Sequence, residues 1–202
     1  MFIVIEGLDG CGKSTVSTAL AKMLNAQLLT SPDKELKEVR KVTDMVFDNN
    51  VKARQMFYMA SILKASEDAK ELNLQGKPVV LDRYWLSTQV YHAWMSNGKQ
   101  FKCREVELVL HQPTLTVYLD VPAAVRANRI KARNVCTDED MNTLQHNANE
   151  KLRSLYFSMN KSLPVGNWLC VDACQSVDII LEKIMTELEI LMSNKMYIKD
   201  DL

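Results

Sequence analysis

Short apolar runs alternate with longer amphipathic segments along this chain of 202 residues. Four of the runs, FIVIE, VVLD, LTVYLD and WLCVD, are almost continuously apolar and lie next to turn residues, which is typical of strands buried on both faces of a sheet. The segments between them place apolar residues at helical spacing, as at Ile180, Ile184 and Leu188 near the end of the chain. Strands that alternate with helices predict an α/β fold with a parallel sheet and right-handed crossovers.

Two longer regions are also predicted to be helical. The first covers residues 34–74 and has two apolar stripes, which begin at Val39 and at Met56. The second is more polar and covers residues 123–161. A chain of this length can bury a full core without covalent staples, so we expect a single domain of residues 1–202.

The overall composition excludes several classes of function. Basic and acidic residues balance, 25 against 25, so the chain lacks the net charge with which proteins bind nucleic acid polymers or anionic membranes. No apolar run has the roughly 18 residues of a membrane span, and we expect neither kind of partner. The five cysteines form no C-x-x-C pair, which indicates reduced thiols, and no targeting segment precedes the first strand. We therefore expect a cytoplasmic protein.

The stretch GLDGCGKS follows the first apolar run and matches the pattern G-x-x-x-x-G-K-[ST] of phosphate-binding loops. Its glycines allow main-chain N–H groups to converge on phosphate oxygens at the N-terminus of the next helix. In such a loop Lys13 reaches the β- and γ-phosphates and the Ser14 hydroxyl binds Mg²⁺. The guanine-reading motif N-K-x-D is not matched, because NKSL at Asn160 lacks the aspartate, which argues against a GTPase.

A second pair of polar residues follows the apolar run VVL. Asp82 ends that run, and a carboxylate at the end of a parallel strand can hold Mg²⁺ directly or through water. Arg83 comes next, and the planar guanidinium group suits bidentate binding of a phosphate. A donor loop with a second anion-binding group nearby indicates two phosphorylated substrates.

Four segments, FIVIEGLDGCGKST, LDRYWLSTQVYH, LDVPAAVRANRIKAR and VDA, resemble in this order the thymidylate kinase family of P-loop nucleoside monophosphate kinases. The resemblance implies a P-loop NTP hydrolase-type three-layer sandwich with a five-stranded parallel sheet and a mobile, arginine-rich lid at about residues 126–145. It also implies Mg²⁺-dependent transfer of the ATP γ-phosphate to a nucleoside monophosphate. Members of the family commonly form homodimers through helices, so we expect a homodimer.

The resemblance also implies which residues form the site. Those that would bind ATP are Gly7, Gly10, Cys11, Gly12, Lys13, Ser14 and Thr15, with Ser14 and Asp82 also holding Mg²⁺. Those that would bind the acceptor are Asp9, Arg40, Phe57, Arg83, Ser87, Thr88 and Tyr91. Within this set Asp9 would contact the sugar 3′-hydroxyl and Phe57 would stack on the base, although core packing alone also explains a phenylalanine there.

The phosphate loop lacks the arginine that part of the family carries, since Gly10 and Cys11 occupy the middle of the loop. The positive charge that phosphoryl transfer requires is then expected from the lid. Arg126, Arg129 and Arg133 lie at i, i+3 and i+7, one face of a helix. We expect Arg129 and Arg133 to act in catalysis together with Lys13, Asp82 and Arg83, and a solvated basic face is the alternative.

Base recognition departs from the family pattern. Ser61 occupies the position where thymidylate kinases usually carry a thymine-reading arginine, and TSPDK replaces the usual arginine-glutamate-proline stretch. The segments LLTSP and DRYWLST are similar to the UMP-CMP kinase 2 branch of the same superfamily. We therefore expect dTMP as the first candidate acceptor, with dUMP, UMP or the cytidine monophosphates next. A deoxynucleoside kinase and a non-catalytic nucleotide-binding module are the other hypotheses.

Overall fold

A five-stranded, fully parallel sheet forms the centre of the fold. The computed structural model describes residues 1–99, 101–133 and 137–200 of the chain. The strands in this part are β1 (Phe2–Glu6), β2 (Gln27–Thr30), β3 (Val79–Asp82), β4 (Leu115–Asp120) and β5 (Asn167–Asp172). Their order across the sheet is β2-β3-β1-β4-β5. The prediction of an α/β fold with a five-stranded parallel sheet is confirmed.

Helices connect the strands and cover both faces of the sheet. They are α1 (Lys13–Met23), α2 (Lys37–Val46), α3 (Val51–Leu74), α4 (Trp85–Met95), α5 (Arg104–Val109), α6 (Ala123–Lys131), α7 (Asp138–Leu144), α8 (His146–Met159) and α9 (Val177–Asp200). Short 3₁₀ turns lie at Lys34–Leu36 and Leu163–Val165. Among the described residues, none of these helices combines the length and apolar character that crossing a bilayer requires.

The hydrophobic pattern predicted four of the five strands and missed β2. This strand lies at the edge of the sheet, and its first two residues, Gln27 and Leu28, are exposed. A half-exposed edge strand of four residues carries too little apolar pattern to be distinguished from a loop. Only the resemblance implied a fifth strand.

The two long helical regions are each divided in the structure. The first breaks between α2 and α3, where the Asn50 side chain accepts a hydrogen bond from the main-chain N–H of Ala53 and caps α3. The second divides into α6, α7 and α8, and a reciprocal capping box between Thr137 and Asp140 begins α7. Residues 134–136 of the predicted lid lie outside the described residues, and nothing structural is stated for them.

The alternation of β1 between the two faces of the sheet organises the core. Ile3 and Ile5 point to one face, where they pack with α1 and α9. Phe2 and Val4 point to the other face, where they pack with α3. All four side chains are almost completely buried, which explains why this run is apolar throughout rather than alternating. A third cluster joins α4 to α8 beside the phosphate loop.

Adjacent parallel strands end at the same edge of the sheet, and this edge collects the polar residues that follow them. Ile5 of β1 pairs with Asp82 of β3, so Glu6 and Asp82 lie at neighbouring strand ends. The loop after β1 and the turn after β3 therefore meet at this edge. Open α/β sheets bind their ligands at this position.

Candidate active site

Glycine conformation shapes the loop between β1 and α1. Gly7 has φ = 145°, and a Cβ atom there would lie 2.7 Å from Cys11 Sγ and 2.9 Å from the carbonyl oxygen of Leu119. Gly12 has φ = 103° and is the residue before α1, so the main chain enters the helix in a left-handed conformation. Thr15 lies exposed in the first turn of α1. The chain thus has the form of a phosphate-binding loop followed by a helix N-terminus.

Gly10 faces α6 rather than solvent. A Cβ atom at this position would lie 2.9 Å from Ile130 Cγ1 and 3.0 Å from the carbonyl oxygen of Arg126. No larger side chain fits there while α6 keeps its place, so an arginine at this point of the loop is sterically excluded. Cys11, the neighbouring residue, is 2% exposed and packs in the core.

The Lys13 ammonium lies over the phosphate loop. It donates a hydrogen bond to the carbonyl oxygen of Leu8 at 3.0 Å, and it lies 3.9 Å from Asp9 Oδ1. The side chain is 7% exposed, which keeps the positive charge close to the loop backbone. An ammonium group has three N–H donors, so this lysine retains donors for phosphate oxygens.

Ser14 and Asp82 join the phosphate loop to the end of β3. The Ser14 hydroxyl donates to Asp82 Oδ2 at 2.8 Å. The second carboxylate oxygen, Oδ1, is buried and has no hydrogen-bond partner among the described residues. A buried carboxylate oxygen without a partner is costly unless a cation or water binds it, so the pair fits Mg²⁺. Within the described residues no three His, Cys, Asp or Glu side chains form a metal cluster, so the remaining ligands of such an ion would be phosphate and water oxygens.

One cavity of about 290 Å³ opens beside these residues. Its wall comprises residues from the phosphate loop, from the turns after β2 and β3, and from helices α2, α3 and α4, together with Arg133. The lining residues are Asp9, Lys13, Ser14, Thr30, Ser31, Pro32, Arg40, Arg54, Tyr58, Asp82, Arg83, Tyr84, Ser87, Thr88, Tyr91, His92, Met95 and Arg133.

Asp9, Arg83 and Tyr91 form a network in the wall of the cavity. Asp9 Oδ1 pairs with the Arg83 guanidinium, and Asp9 Oδ2 accepts a hydrogen bond from the Tyr91 hydroxyl at 2.8 Å. The Arg83 guanidinium also lies 5.6 Å from the centre of the Tyr91 ring. Burial alone would raise the pKa of Asp9, but Arg83, Lys13 and Tyr91 together hold that pKa well below its usual range. Asp9 is therefore a carboxylate at every ordinary pH.

Arg83 adopts an unusual backbone conformation, with φ = 70°. A non-glycine residue in this left-handed region costs about 1–3 kcal/mol, so surrounding contacts must hold it in place. Its N–H donates to the carbonyl oxygen of Ile5, and its guanidinium donates to Ser87 Oγ at 3.1 Å. The main chain at this turn is bent so that the guanidinium points toward the phosphate loop.

The Glu6 carboxylate holds the turn after β3 in place, and no sequence motif identified this residue. Its carboxylate accepts hydrogen bonds from the main-chain N–H groups of Tyr84, at 3.0 Å, and Ser87, at 3.2 Å, and from the Ser87 hydroxyl. The side chain is 1% exposed, and burial raises its pKa above the usual range. Tyr156 adds a further contact, 3.0 Å from Ser87 Oγ. Glu6 therefore caps α4 from a neighbouring strand.

The three arginines of the predicted lid lie in three different environments. Arg126 is fully buried and donates to the carbonyl oxygen of Asp9 at 2.7 Å and to the side chains of Thr143 and Asn149, so it is not part of a phosphate-facing surface. Arg129 donates to the carbonyl oxygens of Cys11, at 3.0 Å, and Ala173, at 2.9 Å, and does not line the cavity. Arg133 is exposed and lines the cavity. α6 thus packs against the loop through Arg126 and Arg129, and the catalytic roles expected for Arg129 and Arg133 stay a prediction.

The predicted acceptor residues are mostly brought together. Arg40, Thr88 and Tyr91 line the cavity, as do Ser87, Arg83 and Asp9. Phe57, the predicted stacking residue, is half-buried and lies outside the lining, whereas the next residue, Tyr58, belongs to it. The Tyr58 hydroxyl donates to Asp44, which also lies 3.4 Å from Arg40.

Several lining residues were missed from the sequence, namely Arg54, Tyr58, His92 and Met95. Helical spacing links them to one another, because Arg54 and Tyr58 are four residues apart on α3 and His92 lies four residues after Thr88 on α4. This spacing is the signal that could have identified them, once the face of α4 was anchored by Thr88.

Sequence comparisons identify the family and related proteins. The thymidylate kinase family model matches residues 5–184 of the chain. The "Thymidylate kinase" of Thermosipho africanus (strain TCF52B) is 25% identical over 206 residues, which cover 94% of this chain and 98% of that protein. The "Probable thymidylate kinase" of Pyrococcus abyssi (strain GE5 / Orsay) is 27% identical over 152 residues, which cover 69% of this chain and 74% of that protein.

Solved structures share the architecture. A deoxyadenosine kinase from M. mycoides with bound dATP superposes with a TM-score of 0.68 at 22% identity, over 94% of this chain and all of the other. The same enzyme with the products dCMP and a flexible dCDP gives a TM-score of 0.65 at 23% identity, over 94% and 99% of the two chains. At these identities the likeness shows the fold alone.

Proposed function

The chain belongs to the thymidylate kinase family, and on this premise we propose that it transfers the γ-phosphate of ATP to a nucleoside monophosphate, with dTMP as the first candidate acceptor. One observation carries the proposal. The same cavity contains two groups that can bind anions, Lys13 with Ser14 of the phosphate loop and Arg83 after β3. A kinase acting on a phosphorylated acceptor needs both, because two anionic substrates must be held together.

The roles of the chain's own residues follow from their positions. The loop N–H groups and Lys13 hold the phosphates of ATP, and Arg83 holds the acceptor phosphate. An oxygen of the acceptor phosphate attacks the γ-phosphorus, the bond to the β-phosphate oxygen breaks, and ADP leaves. Ser14 and Asp82 would hold Mg²⁺, which would neutralise negative charge on the phosphates. Asp9, fixed by Tyr91 and Arg83, accepts a hydrogen bond from the acceptor sugar.

The lid supplies the remaining positive charge in this proposal. Arg133 is its catalytic arginine, because its side chain lines the cavity. Arg129 is a positioning residue, because it donates to the carbonyl oxygens of Cys11 in the loop and Ala173 after β5. Arg133→Ala should lower kcat by about 10²-fold with little change in the KM for ATP. Arg129→Ala should lower the melting temperature and raise the KM for ATP; the reverse pattern would exchange the two roles.

The choice of acceptor is tested by a coupled assay. ADP formation is measured with ATP, Mg²⁺ and each of dTMP, dUMP, UMP, CMP and dCMP, and we expect turnover with at least one of them. Thymidine is the control acceptor, because a deoxynucleoside kinase would use it and would need a base for the 5′-hydroxyl. Asp9 is a poor base, since its pKa lies well below the usual range. Absence of turnover with every monophosphate, using folded protein, would overturn the proposal.

We also propose that the protein is a homodimer through α2 and α3. The outward apolar side chains of this region support the proposal, because Val42, Val46 and Met56 are 56%, 62% and 49% exposed. Sedimentation equilibrium should give twice the chain mass, and Val42→Glu should give the monomer mass. A wild-type protein that sediments as a monomer at micromolar concentration contradicts this part.

A cytoplasmic setting completes the proposal. It is supported by four cysteines that are free thiols in the described residues, namely Cys11, Cys103, Cys170 and Cys174, since unpaired cysteines suit a reducing compartment. Fractionation of cells should place the protein with cytosolic markers, and recovery with an organelle fraction would contradict it.

A further inference from the structure

Part of the cavity wall is formed by two helix faces. Arg54 and Tyr58 of α3 and His92 and Met95 of α4 lie there. Ser61, which occupies the position of the usual thymine-reading arginine, is 3% exposed and lies outside the lining. Its hydroxyl forms a hydrogen bond of 3.2 Å with that of Ser31. Ser61 instead lines a second, smaller cavity with Lys64 and Asp68, so the groups that face an acceptor base in this cavity are others.

His92 has one nitrogen engaged and one free. Nδ1 lies 2.7 Å from the carbonyl oxygen of Thr88, one turn earlier on α4. A carbonyl oxygen only accepts, so Nδ1 carries the proton. The side chain is 3% exposed, and among the residues that the structure describes none forms a hydrogen bond with Nε2. A buried ring nitrogen without a partner, in a residue that lines a ligand cavity, is a site for a ligand donor.

The protonation state of His92 is set by its surroundings. Burial lowers the pKa of His92 to about 4, the nearby Arg54 guanidinium lowers it further, and the Thr88 carbonyl opposes both. At neutral pH the ring is therefore uncharged. With the proton on Nδ1, Nε2 is a hydrogen-bond acceptor.

Arg54 provides the complementary donor. Its side chain is 13% exposed, and its Nε lies 3.3 Å from Asp44 Oδ1 without the alignment of a hydrogen bond. The Asp44 carboxylate balances the charge of Arg54, so the guanidinium can be buried at this wall. A guanidinium group only donates. The wall therefore presents one acceptor, His92 Nε2, beside one group of donors.

We propose that His92 and Arg54 read the base of the acceptor nucleotide, and that this pair admits cytosine as well as uracil or thymine. His92 Nε2 accepts from the 4-amino group of cytosine or from N3–H of uracil and thymine. Arg54 donates to the neighbouring ring acceptor, N3 in cytosine or a ring carbonyl in the other two. Both kinds of base place a donor next to an acceptor on that edge. This inference rests on the proposed function and names the substrate class of the same site.

The first experiment replaces the histidine and leaves an aromatic ring in its place. His92→Phe should lower kcat/KM for dCMP and dUMP by about tenfold, which corresponds to one hydrogen bond, while the KM for ATP stays unchanged. His111→Phe is the matched control, because His111 stacks on Phe2 and does not line the cavity. Equal kcat/KM values in wild type and His92→Phe would overturn the proposal. If the wild-type enzyme turned over dUMP but not dCMP, the part of the proposal that concerns cytosine would be overturned.

The second experiment removes the donor from the ligand instead. The deoxynucleoside monophosphate of pyrimidin-2-one lacks the 4-amino group of dCMP and is otherwise the same. Wild-type enzyme should bind it about tenfold more weakly than dCMP in calorimetric titration, and His92→Phe should bind the two equally. This measurement stands even where His92→Phe folds poorly, since the wild-type comparison alone must show the difference. An equal affinity of the wild type for both nucleotides would exclude the hydrogen bond.

Binding measurements also separate this inference from the proposed function. If dCMP binds with the expected His92 dependence but no phosphate is transferred, base reading stands and the kinase proposal fails. If phosphate is transferred with no His92 dependence, the kinase proposal stands and base reading fails. If no monophosphate binds or reacts, both fail together.

Discussion

The phosphate-loop end and the base end of the cavity are built in different ways. The loop end takes its shape from the main chain, because residues 7–14 form one contiguous segment whose glycines adopt conformations closed to other residues. The base end takes its shape from side chains on α3 and α4, which only helix packing brings together. A short motif can encode the first kind of site, whereas the second depends on which helix face turns inward.

The same contrast holds for the charges. Lys13 lies within one segment of its partners, Leu8 and Asp9. Arg83 reaches across the sheet edge to Asp9, and Arg54 reaches from α3 to Asp44 on α2. The base end therefore depends on contacts between separate elements, whereas Lys13 is placed by its own segment.

The largest effect is expected at the loop end. Lys13→Ala should lower kcat by about 10²- to 10³-fold, because the ammonium stabilises charge that develops on the transferred phosphate. The fold should persist, since among the described residues the side chain forms one hydrogen bond below 3.5 Å, to Leu8. Steady-state kinetics and circular dichroism check both statements, and Lys22→Ala, an exposed lysine in the last turn of α1, is the control. If Lys13→Ala turned over substrate at the wild-type rate, the ammonium would not stabilise the transferred phosphate.

A somewhat smaller effect is expected between the two ends. Arg83→Gln should lower kcat/KM for the acceptor by about 10²-fold, because a partly buried charge pair with Asp9 and the phosphate clamp are lost together. Arg153→Gln is the matched control, since Arg153 also pairs with a carboxylate, Asp120, but outside the cavity. Titration of the variant with ATP and with the acceptor measures the two affinities separately. A loss of ATP affinity equal to the loss of acceptor affinity would assign Arg83 to the loop end.

A moderate effect on stability is expected at Glu6. Because burial raises its pKa above the usual value, the carboxyl contributes stability below about pH 4.5 that is lost as the pH rises through the folded-state pKa. Glu6→Gln removes this titration, so the variant should become more stable relative to wild type as the pH rises from 5 to 8. Urea unfolding at the two pH values measures the difference. A difference that does not change with pH would contradict the raised pKa.

Asp9 tests the same argument, because its pKa is shifted in the opposite direction to that of Glu6. Its pKa is lowered in the folded state, so its contribution is present above the usual value near 3.8 and is lost as the pH falls below that value. Asp9→Asn should therefore flatten the stability profile below pH 4 and leave its slope between pH 5 and pH 8 unchanged. The pKa values of these two carboxyl groups, three residues apart, are thus shifted in opposite directions in the folded protein.

The smallest effect is expected at Arg40, on the rim of the base end. This side chain is 46% exposed and pairs with Asp44 one turn away on α2. Arg40→Ala should raise the acceptor KM only two- to fourfold, because solvent screens an exposed guanidinium. Lys41→Ala, which removes an exposed ion pair with Glu38 from the same helix, is the control. A change in the acceptor KM above tenfold would indicate that Arg40, like Arg83, binds the acceptor phosphate directly.

Much of the fold and of the loop end could be predicted from the sequence. Four strands, the parallel sheet and the position of the phosphate loop before α1 follow from short apolar runs and one motif. The edge strand β2 could not be found by pattern, because half of it faces solvent. Tyr58 and Phe57 could not be distinguished either, since adjacent helical positions differ by about 100° and the pattern does not say which face meets the cavity.

The sequence by itself determined the loop, because glycine conformation and the order of donors along the chain are local properties. It also determined that no arginine lies within the loop, at Gly10 or Cys11. Only the tertiary structure decided where the lid arginines lie. Arg126 is buried against the carbonyl oxygen of Asp9, Arg129 joins Cys11 to the turn after β5, and Arg133 alone of the three lines the cavity. Packing against distant residues set these positions, and a spacing of three or four residues does not contain that information.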